Sequence, residues 1–475
     1  MPAKPNIVLI ECDSMDGRVM SCMKHLAAFT PNIDQLAERG VMFRNAYCNS
    51  PQCCPSRASR WSGRHIHEVE AWNNHKGLEP GSETYLTHLE NAGYETFGTG
   101  KTDYVSGEHS LGARVYSWTR AAGIRLSQKK RPTEEMRHLL GDVERVHEKD
   151  WQRVDESVAW LHKQVDGDAP FFLNCSFSIP HPAFVSSEWW LDKIDHDRVA
   201  MPRSESGARH PVMDYMSATK NCIADFDEAD VLAIRRTYYA MVSELDAMVG
   251  CIFRAVNDLG LLDRTYVIFT SDHGEMNMEH DQWLKNAPYE ASVRVPLIVV
   301  GPSVQEGTVV DDLVSLVDFY PTLMEVAGLE VPENLDGRSL VPDLVGSGTG
   351  SQQRVLCQYH SNFSNTGIFI LRRGPWKYVA YPGYDSQLFD VEKDPAEIKD
   401  LVKDKRDTAR NMDRTLRRLV DYPEVDAKAK AYDRESFLKW QRSLGKKKCR
   451  ETLAELFHAP WADEHTEQLE TWLKG

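Results

Sequence analysis

The sequence predicts an α/β protein with a large, mostly parallel central sheet flanked by helices, and three observations support that class. Continuous apolar runs such as Asn6-Ile7-Val8-Leu9-Ile10 and Tyr266-Val267-Ile268-Phe269 lack the alternation of a half-solvated strand, as expected where both faces of a parallel sheet are covered. Amphipathic stretches with helix start and stop signals separate these runs, the order that parallel strands need. The runs also end in turns rich in acidic, basic or histidine residues, and open α/β sheets place their ligands at the C-ends of strands.

The first run leads into Glu11-Cys12-Asp13-Ser14-Met15-Asp16. Carboxylates there suit a hard divalent cation, although the bare segment reads equally as a capping loop. Thr30 is the expected N-cap of a helix with Pro31 at its first position and Gly40 closing it; Ile33, Leu36 and Ala37 form its apolar face. Residues 41–47 read as a strand that delivers Asn49-Ser50-Pro51-Gln52-Cys53-Cys54-Pro55-Ser56-Arg57-Ala58-Ser59-Arg60. A helix beginning near Pro55 would put Cys53 at its N-terminus, where free N–H groups and the helix dipole favour negative charge. Arg57 adds a planar fork suited to a tetrahedral oxyanion. The plain alternatives for this stretch are a buried cysteine pair or a vicinal redox disulfide.

Residues 85–92 are helical and stop at Gly93, and the glycine-flanked turn after residues 95–100 presents Lys101. Residues 171–177 form another buried-type strand. It delivers His181, locked between Pro180 and Pro182 and so suited to a positioned acid or anion donor. His210, in Arg209-His210-Pro211, is a second candidate of this kind, and either histidine alone also reads as structural. The stretch 227–259 carries Tyr239, Met241, Leu245, Met248 and Ile252 at helical spacing and reads as core packing. Residues 265–270 form a strand ending in Ser271-Asp272-His273-Gly274-Glu275, an Asp-His pair of metal-site type. Lys285 follows in Gln282-Trp283-Leu284-Lys285, before a strand at 295–301 and a structural helix at 315–323.

Composition shifts at Gly346-Ser347-Gly348-Thr349-Gly350-Ser351, a flexible linker. It divides the chain into a larger α/β domain, 1–345, which carries the candidate site residues, and a smaller C-terminal α+β subdomain, 346–475, with an antiparallel sheet of short strands at 355–359, 367–371 and 376–381.

With 475 residues, 41% hydrophobic and 27% charged, the chain is globular and long enough for a large core. Its formal charge of −15 excludes a nucleic-acid binder, which needs a basic face, and disfavours docking on anionic membranes. An anionic substrate must therefore meet a local basic pocket. The run Lys446-Lys447-Lys448-Cys449-Arg450 reads as solvated surface. No stretch is long and apolar enough to span a membrane. Met1-Pro2-Ala3-Lys4-Pro5 leads directly into a strand and shows no secretory signal. The ten cysteines are scattered and do not form a disulfide framework. As written the chain reads as cytoplasmic, or as secreted or lysosomal if a signal has been removed.

Read as Cys53-x-Pro55-Ser56-Arg57, the cysteine stretch resembles the signature of the sulfatase family, part of the alkaline phosphatase superfamily. The resemblance spans nearly the whole chain, including Pro180-His181-Pro182, Asp272-His273-Gly274 and Gln387-Leu388-Phe389-Asp390. It implies an alkaline phosphatase-like fold and oxidation of Cys53 to formylglycine (3-oxoalanine), an aldehyde that hydrates to a geminal diol, by a formylglycine-generating enzyme. Cys53 rather than Cys54 takes the modified place, because it stands two before Pro55 and four before Arg57. The implied metal ligands are Asp13, Asp272, His273 and the modified Cys53, holding one divalent ion, calcium first, with manganese or zinc as alternatives. Arg57, Lys101, His181 and Lys285 would face the sulfate, and His181, His210 or Lys285 would protonate the leaving alcohol. Ser14 stands where many sulfatases carry a second aspartate, and Asp103 where many carry a histidine.

Glu70-Ala71-Trp72-Asn73-Asn74, Gly100-Lys101-Thr102-Asp103-Tyr104 and Thr219-Lys220-Asn221-Cys222 narrow the resemblance to a lysosomal branch acting on 2-sulfated glucuronate. The expected substrate is a small sulfated mono- or oligosaccharide. Trp61 and Trp72 would line its pocket, and His65, His67 or Lys76 would supply a second cation. Two other functions remain open: a phosphonate monoester or phosphate diester hydrolase of the same superfamily, and a non-catalytic anion-binding protein with an unmodified cysteine. A thiol hydrolase has no cue, since nothing in the sequence pairs a histidine with Cys53.

Overall fold

An eight-stranded sheet lies at the centre of the structure, a computed structural model that describes residues 4–107, 109–139, 141–203, 209–222, 226–348 and 354–474. Its main strands are β1 (Asn6–Asp13), β2 (Val41–Tyr47), β3 (Glu95–Gly100), β4 (Phe171–Pro180), β5 (Thr265–Ser271), β6 (Leu297–Val300) and β7 (Thr308–Ser315). Their order is β7-β2-β6-β5-β1-β4-β3, and the two-residue strand Arg294–Val295 pairs with β2. The β1 pairings with β4 and β5, β3 with β4, and β7 with β2 are parallel, whereas β6 runs against both β2 and β5. Every residue of β1 is buried, as a central strand covered on both faces requires.

The 31-residue helix Glu228–Asp258 covers one face of this sheet, with Tyr239, Met241, Leu245, Met248 and Ile252 all buried. It also caps a neighbour. Thr30 makes no side-chain cap to the helix Pro31–Glu38; buried Asp246 instead accepts from the Asn32 and Ile33 amides at 3.0 and 2.7 Å. A carboxylate on another helix thus replaces the local cap, at a distance in sequence that no local signal reveals. Burial pushes that carboxyl up to about 6.

Four further strands, β8 (Arg354–Tyr359), β9 (Ile368–Arg373), β10 (Trp376–Ala380) and β11 (Gln387–Asp390), form a separate antiparallel sheet in sequence order. Alternation along β8 splits its side chains between two environments. Val355, Cys357 and Tyr359 join the main core, while Leu356 packs under the helix Arg406–Leu419 with Met412 and Leu416. The helices Tyr422–Leu444, Lys446–Leu456 and Asp463–Lys474 return to cover the helix Leu111–Thr119. Lys446, Lys447 and Lys448 are exposed at the start of their helix, whereas Cys449 is buried. Of the expected linker, residues 349–351 lie outside the described residues. Among the described residues no helix is long and apolar enough to cross a membrane.

Candidate active site

Five parallel strands deliver their carboxyl ends to one place. β1 ends at Asp13, β5 runs into Asp272 and His273, β4 into His181, β3 into Lys101, and β2 into the turn before Cys53. Register fixes the convergence: Cys12 pairs with Ser271, and Ser176 pairs with both Glu11 and Gly100. Gly100 has φ +93°, and a Cβ there would lie 1.8 Å from the Ser176 carbonyl oxygen. Only glycine permits that turn, which aims Lys101 inward.

Cys53 is the first residue of the helix Cys53–Ser62, whose ten residues are all buried. Its Sγ lies 3.3 Å from His273 Nε2 and 3.9 Å from Asp13 Oδ1. Ligand atoms of Asp13, Cys53, Asp272 and His273 all fall within 4.8 Å of one another. His273 Nδ1 faces the Gly274 carbonyl at 3.0 Å. A carbonyl only accepts, so Nδ1 carries the proton and Nε2 presents its lone pair to the cluster. Burial lowers the His273 imidazole and keeps it neutral. Two carboxylates and an unprotonated imidazole nitrogen, buried together, fit a divalent cation.

Ser14 supplies no carboxylate but orients the two that are present. Its hydroxyl donates to Asp13 Oδ1 at 3.1 Å and its amide to Asp272 Oδ1 at 3.3 Å, with a backbone φ of 71°. Asp16 turns away to Arg18, at 2.7 Å.

Cys54 points elsewhere, towards Gly77, where a Cβ would sit 2.6 Å from its Sγ. The two thiols therefore face different surroundings, and neither is in a disulfide. Burial raises the Cys53 thiol, and Asp13 raises it further against Lys101. A neutral thiol is a poor nucleophile, so the His273 contact that sequence reasoning missed does not make a thiolate site.

Burial opposes charge on Asp13, yet the neighbouring cations, Lys101 foremost and Lys285 with it, hold its carboxyl well below the usual range. Lys101 Nζ reaches Asp13 Oδ2 at 2.5 Å and Asp103 at 3.5 Å. Asp103 in turn meets His109 Nε2 at 3.0 Å, so a histidine returns to this neighbourhood from a different sequence position. Arg57 is tied to protein rather than open to a ligand. Its Nε donates to Asp272 Oδ2 at 2.9 Å, and its Nη1 to Glu11 Oε2 at 2.7 Å, Ser176 Oγ at 2.9 Å and the Lys101 carbonyl at 2.6 Å. Nη2 has no partner among the described residues.

His181 pairs through Nδ1 with the Pro182 carbonyl, which leaves its Nε2 unprotonated. Burial and then Lys285 hold the imidazole well below its ordinary range. His181 and Lys285 line a cavity of about 470 Å³ together with Gln52, Asn74 and Lys129. His210 is set apart. It caps the helix Pro211–Thr219, its Nε2 meets the Asp385 carbonyl at 2.9 Å, and its ring stacks on Tyr381 with centroids 4.3 Å apart.

The other pocket expectations also differ from the structure. Trp61 is sandwiched between Tyr85 and Tyr104, and Trp72 packs on His360, both within the core. His65 and His67 stack on each other near Asp336, and Lys76 pairs with Glu79. Lys129, on a segment with no motif, sits on the cavity instead.

A family model described as Sulfatase matches residues 5–329, and one described as N-sulphoglucosamine sulphohydrolase, C-terminal, matches residues 278–422. Arylsulfatase K of Homo sapiens is 38% identical over 500 residues, covering 99% of this chain and 93% of that protein. The phosphonate monoester hydrolase of Agrobacterium radiobacter shares the fold at a TM-score of 0.69 and 23% identity, over 90% of this chain and 96% of that one. BT1596, a 2-O GAG sulfatase, does so at a TM-score of 0.66 and 22% identity, over 88% and 92%.

The turn that carries Lys285 rests on Lys220. That side chain is fully buried, donates to Gln282 Oε1 at 3.0 Å and to the Lys285 carbonyl, and its own carbonyl accepts from Trp283 Nε1 at 2.8 Å. Burial pulls its ammonium down to about 7. Between that value and the unfolded one, roughly 10.4, the unfolded chain holds a proton that the folded chain has released. Stability therefore rises with pH across this window. Lys220→Met removes that rise, so the stability it costs in denaturant unfolding should grow between about pH 7 and pH 9, by up to about 1.4 kcal/mol per unit. A cost that stays flat or shrinks contradicts a neutral Lys220.

Proposed function

The chain belongs to the sulfatase family and is a sulfuric ester hydrolase, and we propose that it cleaves a small sugar carrying a 2-sulfated uronic acid at a formylglycine derived from Cys53. The observation that carries this reading is the convergence of five strand ends on Cys53 at a helix N-terminus, beside Asp13, Asp272 and His273. The arylsulfatase K similarity and a cavity lined by lysines and amides support the substrate class.

Asp13, Asp272 and His273 would hold the divalent cation. Calcium suits the carboxylate oxygens, and the imidazole also admits manganese or zinc. When bound, the metal polarises the nucleophile and a sulfate oxygen. A hydrated aldehyde made from Cys53 by a formylglycine-generating enzyme would supply two hydroxyls, one as nucleophile and one for release of sulfate. The protein's own groups divide the remaining work. Arg57 holds Asp272 in place through Nε, and Lys101 holds Asp13. The Lys285 ammonium makes no hydrogen bond among the described residues. It is free to offset charge on the sulfate and to give a proton to the leaving alcohol. His181 Nε2, unprotonated, accepts a proton rather than donating one.

Metal content is the first check. Asp13→Asn and Asp272→Asn should each purify with a clearly reduced bound metal by elemental mass spectrometry, because an amide cannot supply the carboxylate charge. Normal content in both variants removes these residues from the metal site. The second check is a substrate panel: kcat/KM for a 2-sulfated glucuronate disaccharide, an aryl sulfate and a phosphonate monoester. The disaccharide should lead. If the phosphonate leads by more than about tenfold, or roughly 1.4 kcal/mol of transition-state binding, the substrate reading gives way to a phosphonate hydrolase.

A further inference from the structure

The cavity lined by His181, Lys285 and Gln52, the residue before Cys53, holds more positive charge than one sulfate ester uses. Lys101 is committed to Asp13 and Arg57 to Glu11 and Asp272. Lys285, whose charge bears on Asp13, is left for the sulfate, and His181 beside it is neutral. Lys129 remains. It lines the same cavity and is partly buried, and its electrostatic influence reaches Cys53 and Lys285. Its ammonium makes no hydrogen bond or ion pair among the described residues. Glu135 is the sole carboxylate among the described residues that line the cavity, and Lys130 and His458 add to the basic side.

Buried acceptors on the same lining also lack partners among the described residues. Gln52 Nε2 donates to Ser361 Oγ at 3.1 Å and Asn362 Oδ1 at 3.3 Å, which fixes the amide and leaves its Oε1 unpaired. Gln128 Oε1 is likewise buried and unpaired, next to Lys129 in sequence. Unsatisfied buried oxygens cost free energy, and sugar hydroxyls are donors of the right kind.

We propose that Lys129 is a specificity-determining residue that binds a second anionic group of the substrate, a carboxylate or a further sulfate on the sugar bearing the scissile ester. This rests on the sulfated-sugar reading above and names the residue that recognises the second charge. A desolvated ammonium that makes no ion pair is costly; burial, with Lys285 adding to it, lowers the Lys129 pKa, and Glu135 offsets only part of that. A second anion offsets both effects. It also gives a role to a cation that makes no ion pair among the described residues, with Glu135 as the one carboxylate whose charge supports it.

The test compares wild type, Lys129→Met and Lys129→Arg on two matched pairs: a 2-sulfated uronic acid disaccharide with its methyl ester, and a disulfated hexose with its monosulfated form. In Lys129→Met the charged-to-neutral ratio of kcat/KM should fall at least tenfold for one pair, chiefly through KM, and Lys129→Arg should keep most of it. A fall for the first pair identifies a carboxylate, and a fall for the second a further sulfate. Ratios are internal to each variant, so a partly folded preparation does not alter them. Both ratios unchanged overturns the Lys129 assignment. A wild type that hydrolyses acid and ester equally well overturns the uronic-acid reading instead, and the disulfated pair then decides Lys129 alone.

Discussion

An arginine with no exposed surface sets the geometry of this site. Arg57 bridges Glu11 on β1 and Asp272 after β5, at 2.7 and 2.9 Å, with all three side chains fully buried. Arg60, one turn later, adds a second guanidinium to Glu11 at 2.9 Å. Breaking such a pair by removing one partner costs about 3–5 kcal/mol, because the other charge stays buried. The helix that begins at Cys53 is thereby pinned to the sheet, and its first residue can occupy one place only. The same bridge lets Asp13 and Asp272 sit side by side, since Arg57 and Lys101 offset the repulsion between the two carboxylates.

The charge of the whole molecule and the charge of the cavity have opposite signs, and that contrast bears on substrate size. A chain of net charge −15 repels a long polyanion at a distance. Within a Debye length, the lysines of the cavity attract one. The C-terminal helices sharpen the contrast. Tyr116 is held to the Leu456 carbonyl at 2.5 Å, the His458 amide donates to the Ser127 carbonyl at 2.9 Å, and Leu456 and His458 line the cavity. A small, locally basic cavity on an acidic protein suits the end of a chain or a short sugar.

The sheet and the metal-type cluster were legible because each piece is local. Asp13 and Asp272-His273 directly follow continuous apolar runs, and the cysteine signature is a contiguous string with fixed spacing. The rest depends on contacts between distant segments. Asp246 replaces Thr30 as a helix cap from more than two hundred residues away. His273 approaches Cys53 only because β5 and the helix N-terminus meet at the C-terminal ends of the central strands. Arg57 reads as an anion binder by residue type, but its fork is taken up by Glu11 and Asp272. His210 shares the proline neighbour of His181, yet that proline starts a helix and the ring becomes its cap. Trp61 and Trp72 are core residues, since large aromatics fill interiors as readily as they line sugar pockets. Lys129 carries no motif, and its place on the cavity, beside Lys285, is a property of the folded chain.

The most direct measurement plots specific activity on a sulfate ester against the fraction of Cys53 converted to the aldehyde, read by peptide mass spectrometry. Preparations made with and without a co-expressed formylglycine-generating enzyme provide the range. Activity should rise in proportion to conversion and extrapolate to zero for the free thiol. Undiminished turnover by protein whose Cys53 is unconverted would contradict the assignment of this residue as the source of the nucleophile.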